Sequence, residues 1–201
     1  MPEILILFYS RHGALADMAR HVARGVERVD GMTARLRTVP DVATKISHPA
    51  DAVPASGPPY AALDDLRQCH GVIVGSPAYF GGMAAPMKYF LDQTSPLWLT
   101  GELAGKPAAA FTSSASQHGG QESTLLTMML PLLHHGMVLV GLPYTEDRLN
   151  TTTTGGSPYG ATHVAGENDD RPLSDDEKYL CQRLGERVAQ TALALSAARI
   201  K

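Results

Sequence analysis

Short, nearly unbroken apolar runs alternate along the chain with stretches of helical spacing. Glu3-Ile-Leu-Ile-Leu-Phe-Tyr9 is apolar at almost every position and rich in β-branched and aromatic residues. It is too short for a helix of that hydrophobicity and reads as a strand buried on both faces, the signature of a parallel sheet. The run stops at Ser10, and Gly13 supplies the backbone freedom of a tight turn. Apolar positions then fall at Leu15, Met18, Ala19, Val22, Val26 and Val29, which is helical spacing. Three more buried runs follow, Gly71–Ser76, Lys106–Ser113 and Met137–Leu142. Thr33–Val39 alternates instead, with Arg35 and Arg37 on one side, and suits a half-exposed strand near an edge. Helices are expected over 60–67, 83–94, 122–135 and 174–198, the last opened by the capping-box spacing Ser174-Asp-Asp-Glu177. Five strands alternating with five helices predict an α/β architecture, a doubly wound parallel five-stranded sheet. Residues 1–201 read as one domain, with surface loops at about 40–59 and 143–172.

In such a sheet, ligands gather outside the carboxyl ends of the strands. Three polar, glycine-containing turns leave that edge: Ser10–Leu15, Ser76–Gly82 and Ser113–Gly120. The first reads either as a phosphate cradle, with the free amides of a helix start facing an anion, or as a plain connecting turn. No G-x-G-x-x-G follows the first strand. The nearest approach to a Walker loop, Gly101–Pro107, is too short and has Pro where Ser or Thr would hold magnesium. Amides and hydroxyls alone would suit a monophosphate.

Composition narrows the partners. A net charge of −3 with scattered Lys and Arg argues against nucleic acid or an acidic membrane as partner. No apolar run reaches spanning length, and the first strand starts by residue 3, so a cytoplasmic protein is expected. Cys69 and Cys181, far apart in sequence, read as reduced core thiols. Adjacent His134 and His135 point about 100° apart on a helix with no partner ligand nearby, so no metal site is expected. Ser113, Ser114 and Ser116 with His118 lack the G-x-S-x-G elbow of a hydrolase.

Several motifs in fixed order carry a family likeness: Tyr-Ser-Arg-His-Gly (9–13), Gly-Ser-Pro-Ala-Tyr-Phe-Gly-Gly-Met (75–83), Phe-Leu-Asp-Gln-Thr (90–94), Leu-Trp (97–98), His-Gly-Gly-Gln-Glu (118–122), His-His-Gly-Met (134–137) and Pro-Tyr-Gly-Ala (158–161). From Ile4 to about Arg187 the chain resembles the flavodoxin-like NAD(P)H:quinone oxidoreductases of the WrbA (tryptophan-repressor-binding protein) family. The resemblance implies a flavodoxin-like strand order 2-1-3-4-5 and noncovalent FMN at the three turns. Ser10, with the backbone of Arg11, His12, Gly13, Ala14 and Leu15, would hold the phosphate. Ala78, Tyr79 and Phe80 would border the flavin ring on one side. Ser113, Ser114, Ala115, Ser116 and Gly119 would border it on the other, with His134 reaching the substrate side. His12 and Phe80 would meet the nucleotide or quinone, and Trp98 would stack there across a subunit interface. Family members are typically tetramers assembled from dimers. The family usually has Thr-Arg-Phe where this chain has Ala78-Tyr79-Phe80, which removes one cation from beside the cofactor.

The implied chemistry is two-electron reduction of quinones by NAD(P)H with ping-pong kinetics, the flavin carrying the redox step and the protein the positioning. His134 is the candidate catalytic residue, histidine being the side-chain type suited to proton transfer near neutral pH. A positioning role is favoured over an obligate acid, since solvent protonates a quinol oxygen. Two alternatives bind the same cofactor: a flavodoxin-type one-electron carrier, and an FMN-binding regulatory protein without significant turnover. Carriers are usually strongly acidic, and this chain is nearly neutral.

Overall fold

The computed structural model describes residues 2–42 and 53–198. Residues 43–52, half of the expected loop 40–59, lie outside the described residues. Strand β1 (Glu3–Phe8) is central: Ile4, Ile6 and Phe8 enter one core, and Leu5 and Leu7 enter the other. This period-two division is why the run is apolar throughout. Helix α1 (Ala14–Val26) follows, then β2 (Thr33–Thr38), α2 (Leu63–Gln68) and β3 (Gly71–Tyr79). The expected helix 83–94 is observed as α3 (Ala85–Asp92), preceded by β4 (Gly82–Met83) and followed by a separate α4 (Ser95–Leu99) that carries Trp98. Then come β5 (Pro107–Ser114), α5 (Gln121–His134), β6 (Val138–Leu139), α6 (Asp147–Thr151), β7 (Ala161–Val164) and α7 (Asp175–Ala198).

The sheet runs β2-β1-β3-β5-β6 with parallel pairing, the expected 2-1-3-4-5 order once the strands of the main path are counted. One expectation needs correction. The fifth strand, read as Met137–Leu142, is split: β6 pairs with Pro107–Ala108, the chain leaves the sheet, and β7 returns beside Phe111–Ser114. Segment 143–172, expected as loop, therefore contains α6 and a fully buried strand. Gly160 makes the return possible, since a Cβ there would lie 2.1 Å from the Ala110 carbonyl oxygen.

Helices α1 and α7 cover the Ile4 face, and α2 to α5 cover the Leu5 face. Arg35 and Arg37 on β2 are not simply solvated: both bond Asp65 Oδ1 on α2, at 3.0 and 3.1 Å. The arrangement leaves the β1, β3 and β5 carboxyl ends open at one rim, where the three polar turns sit.

Candidate functional site

At the first turn, Gly13 adopts φ 99° as the residue before α1, a conformation that favours glycine. Lacking a side chain, it cannot cap the helix. Ser10 Oγ does that work from three residues upstream, accepting from the Gly13 and Ala16 amides at 3.2 and 3.3 Å. Its own O–H remains a donor. Ala14 and Leu15 sit in the first helical turn, whose N–H groups have no intrahelical acceptor.

At the second turn, Ala78 pairs with Met83 and Tyr79 with Gly82, so Phe80 and Gly81 form a two-residue hairpin loop. Both have positive φ, 51° and 75°, the backbone of a type I′ turn. For phenylalanine that conformation is strained. The hairpin is anchored from beneath: buried Ser76 Oγ accepts from the Ala84 amide at 2.8 Å.

At the third turn, Ser114 Oγ donates to the Ser116 carbonyl at 2.7 Å and accepts from Gln121 Nε2 at 2.9 Å. Gly119 packs against this pair; a Cβ there would fall 2.8 Å from the Ser114 Cβ. The turn is thus held by its own hydroxyls.

The three turns converge on one cavity of about 190 Å³. Ser10, Arg11, His12, Ala14 and Leu15 line it from the first turn, Ala78 and Tyr79 from the second, Ser113 to Ala115 from the third. Ser116 lines a neighbouring recess with residues of the 164–171 segment, Gly119 supports the turn from behind, and Phe80 stands fully exposed at the hairpin tip.

Asp169, which the sequence reading missed, also lines the cavity, its Oδ2 3.6 Å from His12 Nε2. It belongs to the segment after β7, whose Gly166 amide donates to the Ala115 carbonyl at 3.1 Å. That segment is tied down by a buried clamp. Glu177 accepts from the amides of Gly155, Val164 and Ser174 at 2.9, 3.0 and 2.8 Å, and from His163 Nδ1 at 3.0 Å. His163 Nε2 faces the Arg171 carbonyl at 3.1 Å. Burial alone would push the Glu177 carboxyl up. The bonds from His163, Ser174 and Val164 overturn that and hold it at about 2. The spacing Ser174–Glu177 signalled the helix cap, not the three other groups that the same carboxylate gathers.

His134 and Trp98 lie elsewhere in the chain. Their rings stack with centroids 5.4 Å apart, and they line a separate recess of about 690 Å³ between α3, α4 and α5. Within one chain the structure does not bring them to the three-turn cavity. Around the recess, Tyr89, Leu99, Leu126, Leu130 and Leu133 are exposed. Among the described residues no group of His, Cys, Asp and Glu could hold a metal ion. No helix there is long and apolar enough to cross a membrane.

Residues 4–145 match the family model described as NADPH-dependent FMN reductase. The chain is 44% identical to an NAD(P)H dehydrogenase (quinone) of Trichlorobacter lovleyi, with 98% of this chain and all of the relative covered. A protein of the same name from Solidesulfovibrio magneticus is 42% identical over 97% of this chain and all of its own length. Among solved structures, a WrbA-like flavodoxin protein from Agrobacterium tumefaciens superposes with a TM-score of 0.69 at 24% identity, covering 96% of this chain and 99% of its own.

Proposed function

The chain belongs to the NADPH-dependent FMN reductase family, and we propose that it is an FMN-dependent NAD(P)H:quinone oxidoreductase. The observation that carries this reading is the convergence of three turns on one cavity whose donors are amides and small hydroxyls. That donor set fits FMN: a helix start and a serine for one phosphate, and Ala78, Tyr79 and Ser113 to Ala115 to flank a flat ring. When bound, FMN supplies the hydride-transfer chemistry.

The protein's part is positional. Ser10 Oγ accepts from two amides and keeps its own O–H available to a ligand in the cavity it lines, and the Ala14 and Leu15 amides favour the phosphate charge. Tyr79 is fixed by the Phe80-Gly81 turn, which also holds the Phe80 ring out where substrate arrives. Nicotinamide and quinone use this one mouth in turn, which gives ping-pong kinetics. His134 and Trp98 complete the mouth from a neighbouring subunit of a homotetramer built as a dimer of dimers, His134 orienting the quinone while solvent supplies protons. The exposed apolar surface on α3 to α5 around their recess supports such an assembly. Two buried, unpaired thiols agree with a cytoplasmic location.

The test is a titration of ligand-free protein with FMN, followed by NADH and benzoquinone. Quenching of FMN fluorescence at micromolar protein, bleaching by NADH and recovery with quinone are expected. Bound FMN without turnover would mark a one-electron carrier or a binding protein instead. Ser10→Ala, which removes one charge-assisted donor and the brace of two amides, should weaken FMN binding about tenfold. Unchanged affinity would remove Ser10 from the cradle.

Leu130→Glu should dissociate the assembly in sedimentation velocity and lower turnover. FMN affinity should stay within about twofold, because the three-turn cavity forms within one chain. A variant that stays assembled would show that this face is not the interface.

A further inference from the structure

We propose that the Arg11 guanidinium receives a phosphate of the pyridine dinucleotide at the cavity mouth and sets its KM, an inference that rests on the oxidoreductase reading above. The charges around the cavity single it out. Of the lining residues, Arg11, His12 and Asp169 carry or can carry charge. His12 and Asp169 answer each other, their side chains 3.6 Å apart, so any positive charge on His12 is compensated before a ligand arrives. Arg11 has no such counterion: among the described residues it makes no salt bridge, and its Nη1 donates to the neutral phenol oxygen of Tyr79 at 3.3 Å. Asp41, the carboxylate whose field reaches it, is already engaged by the Tyr9 hydroxyl at 2.6 Å.

The side chain is also directed. Arg11 has its backbone in the phosphate turn, yet its guanidinium joins the β3 wall through Tyr79, beside the exposed Phe80. The phosphate of a bound FMN is served by the amides and the serine of the turn itself, so the guanidinium is left for a second anion. Tyr79 occupies one of five donors; the planar fork that remains matches two oxygens of a phosphate. His12, the residue that the sequence likeness assigned to the nucleotide, already has the Asp169 carboxylate 3.6 Å from its Nε2.

The test uses full-length protein loaded with FMN, with Arg11→Gln and Arg11→Lys, and two readouts. Steady-state kinetics should show KM for the nucleotide rising about tenfold in Arg11→Gln, with kcat and FMN affinity within about twofold. Arg11→Lys keeps the charge without the fork and should recover part of the loss. Calorimetric titration with NAD⁺ and NADP⁺, which needs no turnover, should show the same weakening. A rise for both nucleotides assigns the pyrophosphate, and a rise for the 2′-phosphorylated one alone assigns its extra phosphate. KM and nucleotide Kd both unchanged in Arg11→Gln would overturn the proposal, as would a loss of FMN affinity that accounts for the whole effect. Nucleotide binding that depends on Arg11 in a protein that does not turn over would leave this inference standing and remove the oxidoreductase reading.

Discussion

Glu177→Ala is expected to destabilise the protein by about 4 kcal/mol and to loosen the wall of the cavity that carries Asp169. The carboxylate is buried, and three backbone amides and His163 all donate to it. Alanine would leave each of those donors without its acceptor in a water-excluded site, and breaking a buried pair by removing one partner costs about 3–5 kcal/mol. The damage should spread toward the ligand. His163 holds the Arg171 carbonyl, its own carbonyl accepts from Gln121, and Gln121 donates to Ser114 at the third turn. FMN affinity should therefore fall together with stability, although Glu177 does not line the cavity.

Acid should reproduce part of the effect in the unaltered protein. The carboxyl titrates at about 2 when folded and near 4.5 otherwise, so the unfolded chain binds the proton more readily. The stabilisation is complete above about pH 5 and disappears as pH falls through 4 toward 2. Over that window the carboxyl accounts for about 3 kcal/mol. Urea unfolding followed by circular dichroism at pH 7 and pH 3 checks this. Glu177→Gln, which cannot titrate, should lose less stability than the native chain between those values. Identical pH dependence would refute the clamp.

The second large effect concerns the packing of α1 on α7. Gly25→Ala would count as a gain of about 1 kcal/mol on helix propensity alone. The structure reverses the sign. A Cβ at Gly25 would lie 1.8 Å from the Gln182 carbonyl oxygen, and one at Gly185 would lie 2.1 Å from the Val22 oxygen. The helices meet backbone to backbone at two reciprocal glycines, and the obstacle in each case is a carbonyl that cannot swing aside. Alanine must push the helices apart over a core that includes Met18, Val22, Leu180 and Leu184. A net loss of about 3 kcal/mol is expected, read as a drop of about 10 °C in Tm with an unchanged urea m-value. A more stable Gly25→Ala would show that the helices do not approach this closely.

Much of the architecture is legible in local pattern. The apolar run at 3–9, the helical spacing from Leu15, the glycine at 13 and the cap at Ser174–Glu177 each express a rule that operates within a few residues. Those rules suffice for β1 to β3 and β5, for α1 to α3, α5 and α7, for the parallel sheet and for the rim at which three polar turns emerge. Strand β7 escaped them: Ala-Thr-His-Val is short, carries a histidine and lies in a segment rich in Thr, Gly and Pro. It is a strand because Gly160 lets it come against the β5 backbone, a contact made across some fifty residues.

The residues around the cavity divide in the same way. Ser10, Gly13 and the small residues of the third turn are legible by type and spacing as polar turns at the rim. Asp169 joins them only because the return of β7 carries its segment over the rim. Arg11 looks like an ordinary solvated cation in one dimension; its link to Tyr79, and the pairing of its neighbour His12 with Asp169, exist only in the folded chain. His134 and Trp98 meet each other away from the cavity because α4 and α5 set their distance, which no spacing along the chain encodes. Propensity and periodicity are properties of neighbours in sequence, while charge compensation and cavity shape belong to neighbours in space.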